Sequence, residues 1–177
     1  MERQRHGFDF ENFIIKKFNL IKETKYTAEY DAYTKDSIPV QIKLEKENSD
    51  IELADIFRNY QKSSNFILIV GFWSGQKDNI VKIYSVYFDI DCFKSNFDEE
   101  LLKIFRKFLD EITNERKDDE KWKNQILDFK KQWRNKTSNF IRPRFKRDHK
   151  TQKRIQCAIN NKDFLNYITM RGEYVWE

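Results

Sequence analysis

"YDAYTKDSIPVQIKLEKE" (Tyr30–Glu47) decides how this chain is read. The polar tetrapeptide Thr34-Lys35-Asp36-Ser37 separates two short extended runs, 27–34 and 38–45. The second run alternates. Val40, Ile42 and Leu44 fall on one face of a strand, and Gln41, Lys43 and Glu45 on the other, because successive side chains of a strand point to opposite sides. Asp31 lies on the run before the turn. The pattern predicts a hairpin with an apolar face for a core, an amide, an ammonium and a carboxylate on the other face, and an aspartate across the turn.

Outward from the hairpin the signals change type. Toward the N-terminus, "FDFENFIIKKFNL" (8–20) places Phe10, Phe13, Ile14 and Phe18 near helical spacing, which predicts an amphipathic first helix. Toward the C-terminus, Ser49 and Glu52 have the spacing of a capping box. They predict a helix over 50–63 striped by Leu53, Ile56, Phe57 and Tyr60. "NFILIVGFW" (65–73) is almost continuously apolar and predicts a strand covered on both faces. A further strand is expected at 80–90. Two helices follow, striped by Leu101, Phe105, Phe108 and Ile112, then by Trp122, Ile126, Phe129 and Trp133. After the basic stretch "FIRPRFKRDHKTQKR" come a short strand, "IQCAIN", and a terminal helix, "NKDFLNYI". The order predicts an α/β domain with a mixed sheet. It reads as a single domain over 1–177, with an α/β core at 1–95 and a helical and basic part at 96–177.

The bulk properties narrow the class. The 177 residues include 16 Phe, 8 Tyr and 4 Trp, but only four Gly and two Pro, which suits regular structure around a real core. No apolar run approaches the roughly 20 residues a spanning helix needs. The N-terminus "MERQRHGFDFENF" lacks the apolar centre of a signal peptide. Cys92 and Cys157 have no metal-like spacing. The expectation is a soluble cytoplasmic protein.

Charge is unevenly placed. Between Arg134 and Arg154 lie nine Lys or Arg and one acid, Asp148, a local excess greater than the net +5 of the whole chain. Such a patch is an electrostatic footprint for a polyanion, although a solvated lysine-rich surface carries the same signature. If "FIRPRFK" is extended, Arg142, Arg144 and Lys146 share one face and Ile141, Pro143 and Phe145 the other. Arg134, Lys136, Arg147, Lys150, Lys153, Arg154 and Gln156 complete the candidate nucleic-acid contacts.

An aspartate and a lysine on neighbouring strands are the residue types that phosphodiester hydrolysis needs. Oxygen ligands hold a divalent cation, usually Mg²⁺, and an ammonium balances the charge building on the phosphate. The spacing alone is also that of an ordinary half-exposed hairpin. His6 and His149 sit beside basic residues and read as phosphate contacts or plain surface. Trp122 and Trp133 read as core or dimer interface.

Asp31, nine residues, then "QIK" at 41–43 resembles the PD-(D/E)XK nuclease superfamily. Gly7, Phe10 and Glu11 resemble the Gly-x-x-Phe-Glu pattern of the first helix in Mrr-like and restriction-type members. The resemblance covers about residues 7–73. It implies a restriction-endonuclease-like core, with Asp31 as principal metal ligand and Lys43 as catalytic lysine. Glu11, Gln41 and the backbone carbonyl of Ile42 would complete a Mg²⁺ site, with Glu29 and Glu45 as alternatives to Glu11. The chain departs from the pattern in two places: Gln41 stands where an acid is usual, and Tyr30 where proline is. The implied activity is that of a Mg²⁺-dependent type II restriction endonuclease acting on double-stranded DNA as a homodimer. A structure-selective or modification-dependent nuclease stays open, as does a non-catalytic nucleic-acid-binding protein on the same core.

Overall fold

The computed structural model describes residues 2–24, 29–62, 64–75, 79–112, 120–134, 140–147 and 153–176. It is a mixed α/β protein that folds as two compact units. One holds 1–52, 62–90 and 160–177, the other 53–61 and 91–159. One of the breaks, after Ile90, lies near the expected change of character at 95/96. The segments 53–61 and 160–177, however, each belong with the unit on the far side of that change.

The first unit is built on a five-stranded sheet in the order β1-β2-β3-β5-β6, with β1 at Ile21–Lys22, β2 at Ala32–Tyr33, β3 at Pro39–Lys46, β5 at Phe66–Trp73 and β6 at Ile80–Phe88. The expected hairpin is present in shortened form: of the run expected at 27–34 only Ala32–Tyr33 is strand, 29–31 with Asp31 lie outside it, and 27–28 fall outside the described residues. β2 and β3 pair antiparallel, Ala32 opposite Val40 and Tyr33 opposite Pro39. In the turn, Ser37 takes φ 62° and its N–H donates to the Thr34 carbonyl at 3.0 Å. β3 then runs parallel to β5, Ile42 beside Ile69 and Lys43 beside Val70, and β5 runs antiparallel to β6. As the continuous apolar run predicts, β5 is covered on both faces, with Phe66 to Phe72 all buried.

Each face has its own cover. Helix α1 (Glu2–Lys17) lays Phe10 and Ile14 on Val40, Ile42, Ile67 and Ile69. On the other face α6 (Asn161–Arg171) packs Phe164 against Phe72 and Tyr84, and Tyr167 against Phe88. The chain beyond α6 returns to β6. Tyr174 N–H donates to the Ser85 carbonyl at 2.7 Å, and Trp176 stacks on Phe18 with ring centroids 4.3 Å apart. The α1 face closes tightly because residue 71 of β5 is glycine: a Cβ there would lie 2.2 Å from the tip of the Phe10 ring.

The second unit holds α3 (Ile90–Asn96, from Asp91 on), α4 (Glu99–Glu111), α5 (Glu120–Arg134) and, with β4 from Leu53 on, a sheet ordered β4-β8-β7. β7 is Ile141–Arg147, β8 is Lys153–Ile159 and β4 is Ile51–Asp55. Its core is a file of aromatic rings. Phe97 meets Phe105, Phe105 meets Phe129, Phe129 stacks on Phe108 at 3.9 Å, and Phe108 meets Phe145 of β7 edge-on.

The helix expected at 50–63 is a strand followed by a short helix, α2 (Ile56–Tyr60). Ser49 and Glu52 form no capping box. Ser49 Oγ donates to the Lys46 carbonyl at 2.6 Å inside a turn in which Asn48 has φ 63°. Glu52 N–H donates to the Glu45 carboxylate at 2.9 Å. Ile51 and Leu53 are buried and Glu52 is not, so alternation prevails over the helical stripe through this segment. The cap of α2 is Asp55, whose carboxylate accepts from Phe57 N–H and Arg58 N–H.

Gly71→Ala is expected to destabilise the protein by about 1–3 kcal/mol, because it overpacks a buried ring. Phe10→Leu in the Gly71→Ala background should recover part of that loss. Thermal unfolding of both single variants and the double variant measures the coupling, and additive losses would mean that the two side chains do not compete for one space.

Candidate active site

β2 is only two residues long, so it leaves β3 early. Val40 still has ladder partners: its carbonyl accepts from Asp31 N–H at 3.0 Å. Two residues on, Ile42 N–H points to the same side, with no strand beside it among the described residues. Asp31 supplies the partner from its side chain, Oδ2 accepting from Ile42 N–H at 2.7 Å. The carboxylate is thereby fixed against the backbone of the Gln-Ile-Lys tripeptide, with Oδ1 remaining for other chemistry.

The other candidate residues differ in how firmly they are held. Lys43 is half-buried, beside Val70, and shares a strand face with Gln41. Among the described residues it has no ion pair or hydrogen-bond partner. Glu11 on α1 is paired with Lys22 at 3.2 Å, and Lys22 also donates to Asn12 Oδ1 at 2.7 Å. That pair is partly exposed and is worth about 0–1 kcal/mol, so Glu11 is cheaply redirected. Glu29 is exposed, and Glu45 accepts from Glu52 N–H.

Gln41 is engaged quite differently. It is buried, and its Oε1 accepts from the ammonium of Lys62 at 2.5 Å. Lys62 itself is 1% exposed. Its Nζ stands 4.5 Å from the ring centroids of both Tyr30 and Phe66. Burying an ammonium costs several kcal/mol. A charge-assisted hydrogen bond returns about 1.5–3 kcal/mol and each desolvated cation–π contact about 2. Removing the Gln41 acceptor takes away a hydrogen bond that offsets part of that burial cost, so moving Gln41 costs far more than moving Glu11. Sequence reasoning missed this cage. Lys62 lies in the polar stretch "YQKSSN", where lysine normally faces water and no local pattern marks it.

Tyr30 closes the cage. Its hydroxyl donates to the Ser64 carbonyl at 3.1 Å. Burial pushes the phenol above its ordinary 10.0, the hydrogen bond with the Ser64 hydroxyl (Oγ at 3.3 Å) works in the other direction, and the Glu29 charge adds to the rise.

Among the described residues no group of three or more His, Cys, Asp or Glu could hold a metal ion. The donor set suits a magnesium ion that keeps most of its waters and takes one carboxylate plus a substrate phosphate oxygen. Asp31 would be that carboxylate, and Glu11 would have to leave Lys22 to join it. His6 lies elsewhere, in a cleft of about 840 Å³ lined with Phe13, Lys17, Phe18, Lys82 and Trp176.

The basic segment lies in the second unit. "FIRPRFK" is extended and forms the edge strand β7. Directly opposed residues of an antiparallel pair share a face. One face therefore carries Arg142 with Ala158, Arg144 with Gln156, and Lys146 with Arg154. The other carries Ile141, Pro143 and Phe145 against Ile159, Cys157 and Ile155. The cations are half-buried, and Gln156 Oε1 is a buried acceptor with no hydrogen-bond partner among the described residues. Arg134 is exposed at the end of α5. Lys136, Lys150 and His149 lie outside the described residues, and Arg147 and Lys153 are placed only as strand positions.

No protein-family model matches the chain, and a search of curated proteins finds no relative. Among the described residues no helix is long and apolar enough to cross a membrane.

Tyr30→Phe tests the cage through pH. A phenol raised in the folded state ionises first in the unfolded chain. Its stabilisation is complete below about pH 10 and is lost as pH climbs through the folded value. Tyr30→Phe should cost about 1 kcal/mol at neutral pH for the missing Ser64 hydrogen bond. It should also flatten the fall in stability above pH 10. Urea unfolding across that range reads both, and an unchanged alkaline slope would remove Tyr30 from the effect.

Proposed function

We propose that the chain is a Mg²⁺-dependent DNA endonuclease of the restriction type, hydrolysing phosphodiester bonds in double-stranded DNA. The observation that carries the reading is the hydrogen bond from Ile42 N–H to Asp31 Oδ2, which sets a carboxylate against the strand that bears Lys43. Asp31, through Oδ1, would hold the metal at the scissile phosphate, with Glu11 as the carboxylate most easily added. Magnesium, when bound, supplies positive charge to the phosphoryl oxygens and lowers the pKa of an attacking water. Lys43, with no competing carboxylate among the described residues, orients that water and balances the charge that builds on the phosphate. The β7–β8 ribbon suits the major groove, which admits a two-stranded ribbon and is read by Arg and Gln side chains. Two such subunits would match a palindromic site.

One observation favours a second reading, a non-catalytic nucleic-acid-binding protein on the same core: the oxygen of residue 41, where an acid is usual, is already taken by Lys62. Metal-dependent cleavage separates the two. Asp31→Asn keeps an acceptor for Ile42 N–H, so it should fold normally while losing about a thousandfold or more in cleavage, and Lys43→Ala likewise. The assay is digestion of mixed plasmid DNAs with Mg²⁺ followed by sequencing of the ends. Either variant cutting at the wild-type rate would sink the assignment.

The ribbon has its own test. Arg142→Ala and Arg144→Ala should reduce affinity for a cleaved sequence by about 1–3 kcal/mol each, and affinity for a random duplex much less. Lys136→Ala and Lys150→Ala should weaken both alike, and each should lower the salt slope by about one, the share of a single neutralised phosphate. Affinities for both duplexes across a salt series decide it, and wild-type slopes and affinities in all four variants would take the segment out of the interface.

A further inference from the structure

The Lys62 cage is a costly device. A space-filling side chain between Tyr30 and Phe66 could be methionine or leucine at lower cost, since a buried charge can often be replaced by an apolar isostere without loss. Lys62 instead donates from its ammonium to a strand residue, Gln41. An ammonium has only hydrogens to offer, so the Gln41 carboxamide turns its oxygen to Lys62 and its NH₂ group away. Among the described residues that NH₂ has no hydrogen-bond partner, while Gln41 keeps 6% exposure. The cage also grips both runs of the hairpin. Tyr30 precedes Asp31 and Gln41 precedes Ile42, and those two followers are joined by the 2.7 Å hydrogen bond to Asp31 Oδ2.

We infer that Lys62 is a positioning residue of the nuclease site. It holds Gln41 by its oxygen, so residue 41 meets the phosphodiester as a hydrogen-bond donor beside the Lys43 ammonium, and not as a metal ligand. The inference rests on the nuclease reading above. Its chemistry is consistent: the non-bridging oxygens of a phosphodiester only accept hydrogen bonds, and an NH₂ group only donates them. It also reassigns the departure at position 41. A glutamate there would pair with Lys62 in the interior and be neutralised by it, so the acid would add nothing to metal binding.

The test uses the full chain with Mg²⁺ alone as the binding probe, read by thermal shift and calorimetry, alongside plasmid cleavage kinetics. Gln41→Met and Gln41→Glu should leave the Mg²⁺ midpoint within about threefold of wild type, whereas Asp31→Asn should weaken it more than about tenfold. Lys62→Met keeps an apolar side chain between two rings and should fold. It should lower kcat about a hundredfold with the KM for DNA within about threefold, as expected for loss of one positioned donor. Gln41→Met should lose a similar factor, and the Lys62→Met/Gln41→Met double variant no more than either single change, because the two side chains act as a unit. A merely structural lysine would show losses in melting temperature with kcat retained. Tighter Mg²⁺ binding by Gln41→Glu, or full-rate cutting by folded Lys62→Met while Asp31→Asn is dead, overturns the inference alone. A wild-type protein that neither binds Mg²⁺ nor cuts overturns the nuclease reading, and this inference with it.

Discussion

Two strands that pair in parallel cannot be joined by a tight turn. β3 and β5 are such a pair, and the chain between them must leave the sheet and come back. Much of the structure follows from that constraint. The excursion quits the first unit after Glu52 and rejoins it at Lys62. On the way it supplies a strand to the second sheet and a short capped helix. On its return it delivers Lys62 to the sheet, beside Gln41 and between Tyr30 and Phe66. β5 is left in the interior with apolar side chains on both faces, which requires α1 on one side and α6 on the other. The chain's last helix therefore belongs with its first strands.

The shortness of β2 has the second large consequence. A longer β2 would have satisfied Ile42 N–H with a backbone carbonyl and left Asp31 in water. Because the ladder stops at Ala32 and Val40, the carboxylate takes over the bond and is oriented by it. The polar face of β3 is then a graded series. Gln41 is almost fully buried and held by Lys62, Lys43 is half-buried with no ion-pair partner among the described residues, and Glu45 is tied to the next turn. Electrostatic cost sorts these groups better than residue type does. The exposed Glu11–Lys22 pair is easily exchanged, whereas the Lys62–Gln41 hydrogen bond is held by its own burial.

The two halves of the proposed activity lie in different compact units, Asp31 and Lys43 in one and the Arg142–Lys146 strand in the other. That division suits a protein in which base reading and phosphate chemistry depend on different side chains. The ribbon face combines guanidinium groups with Gln156, whose buried oxygen lacks a hydrogen-bond partner among the described residues. Arginine and glutamine are the side chains that read purine edges by paired hydrogen bonds.

How much of this is legible in the sequence depends on the range of the interaction. Alternation at 39–46, the apolar run at 66–73 and the stripes at 99–111 and 120–134 are local patterns, and each specifies its element, because burying one face needs only a periodic side-chain order. The extended face of Arg142, Arg144 and Lys146 follows from period two in the same way. The 51–60 segment departs from its expected helix because its apolar residues satisfy both periods. Pairing of β4 in the second sheet, with chain about 100 residues away, chose between them. Asp31 can be picked out from residue type and spacing, but its orientation depends on where β2 ends. Lys62 cannot be picked out at all. Its burial is produced by Tyr30, Gln41 and Phe66, residues brought around it by the β3–β5 crossover, and no property of its own neighbourhood in the chain records that. Sequence by itself determined which segments become strands and helices wherever a single period dominated. Tertiary structure alone decided which polar groups are buried, because desolvation depends on every element that closes over a side chain.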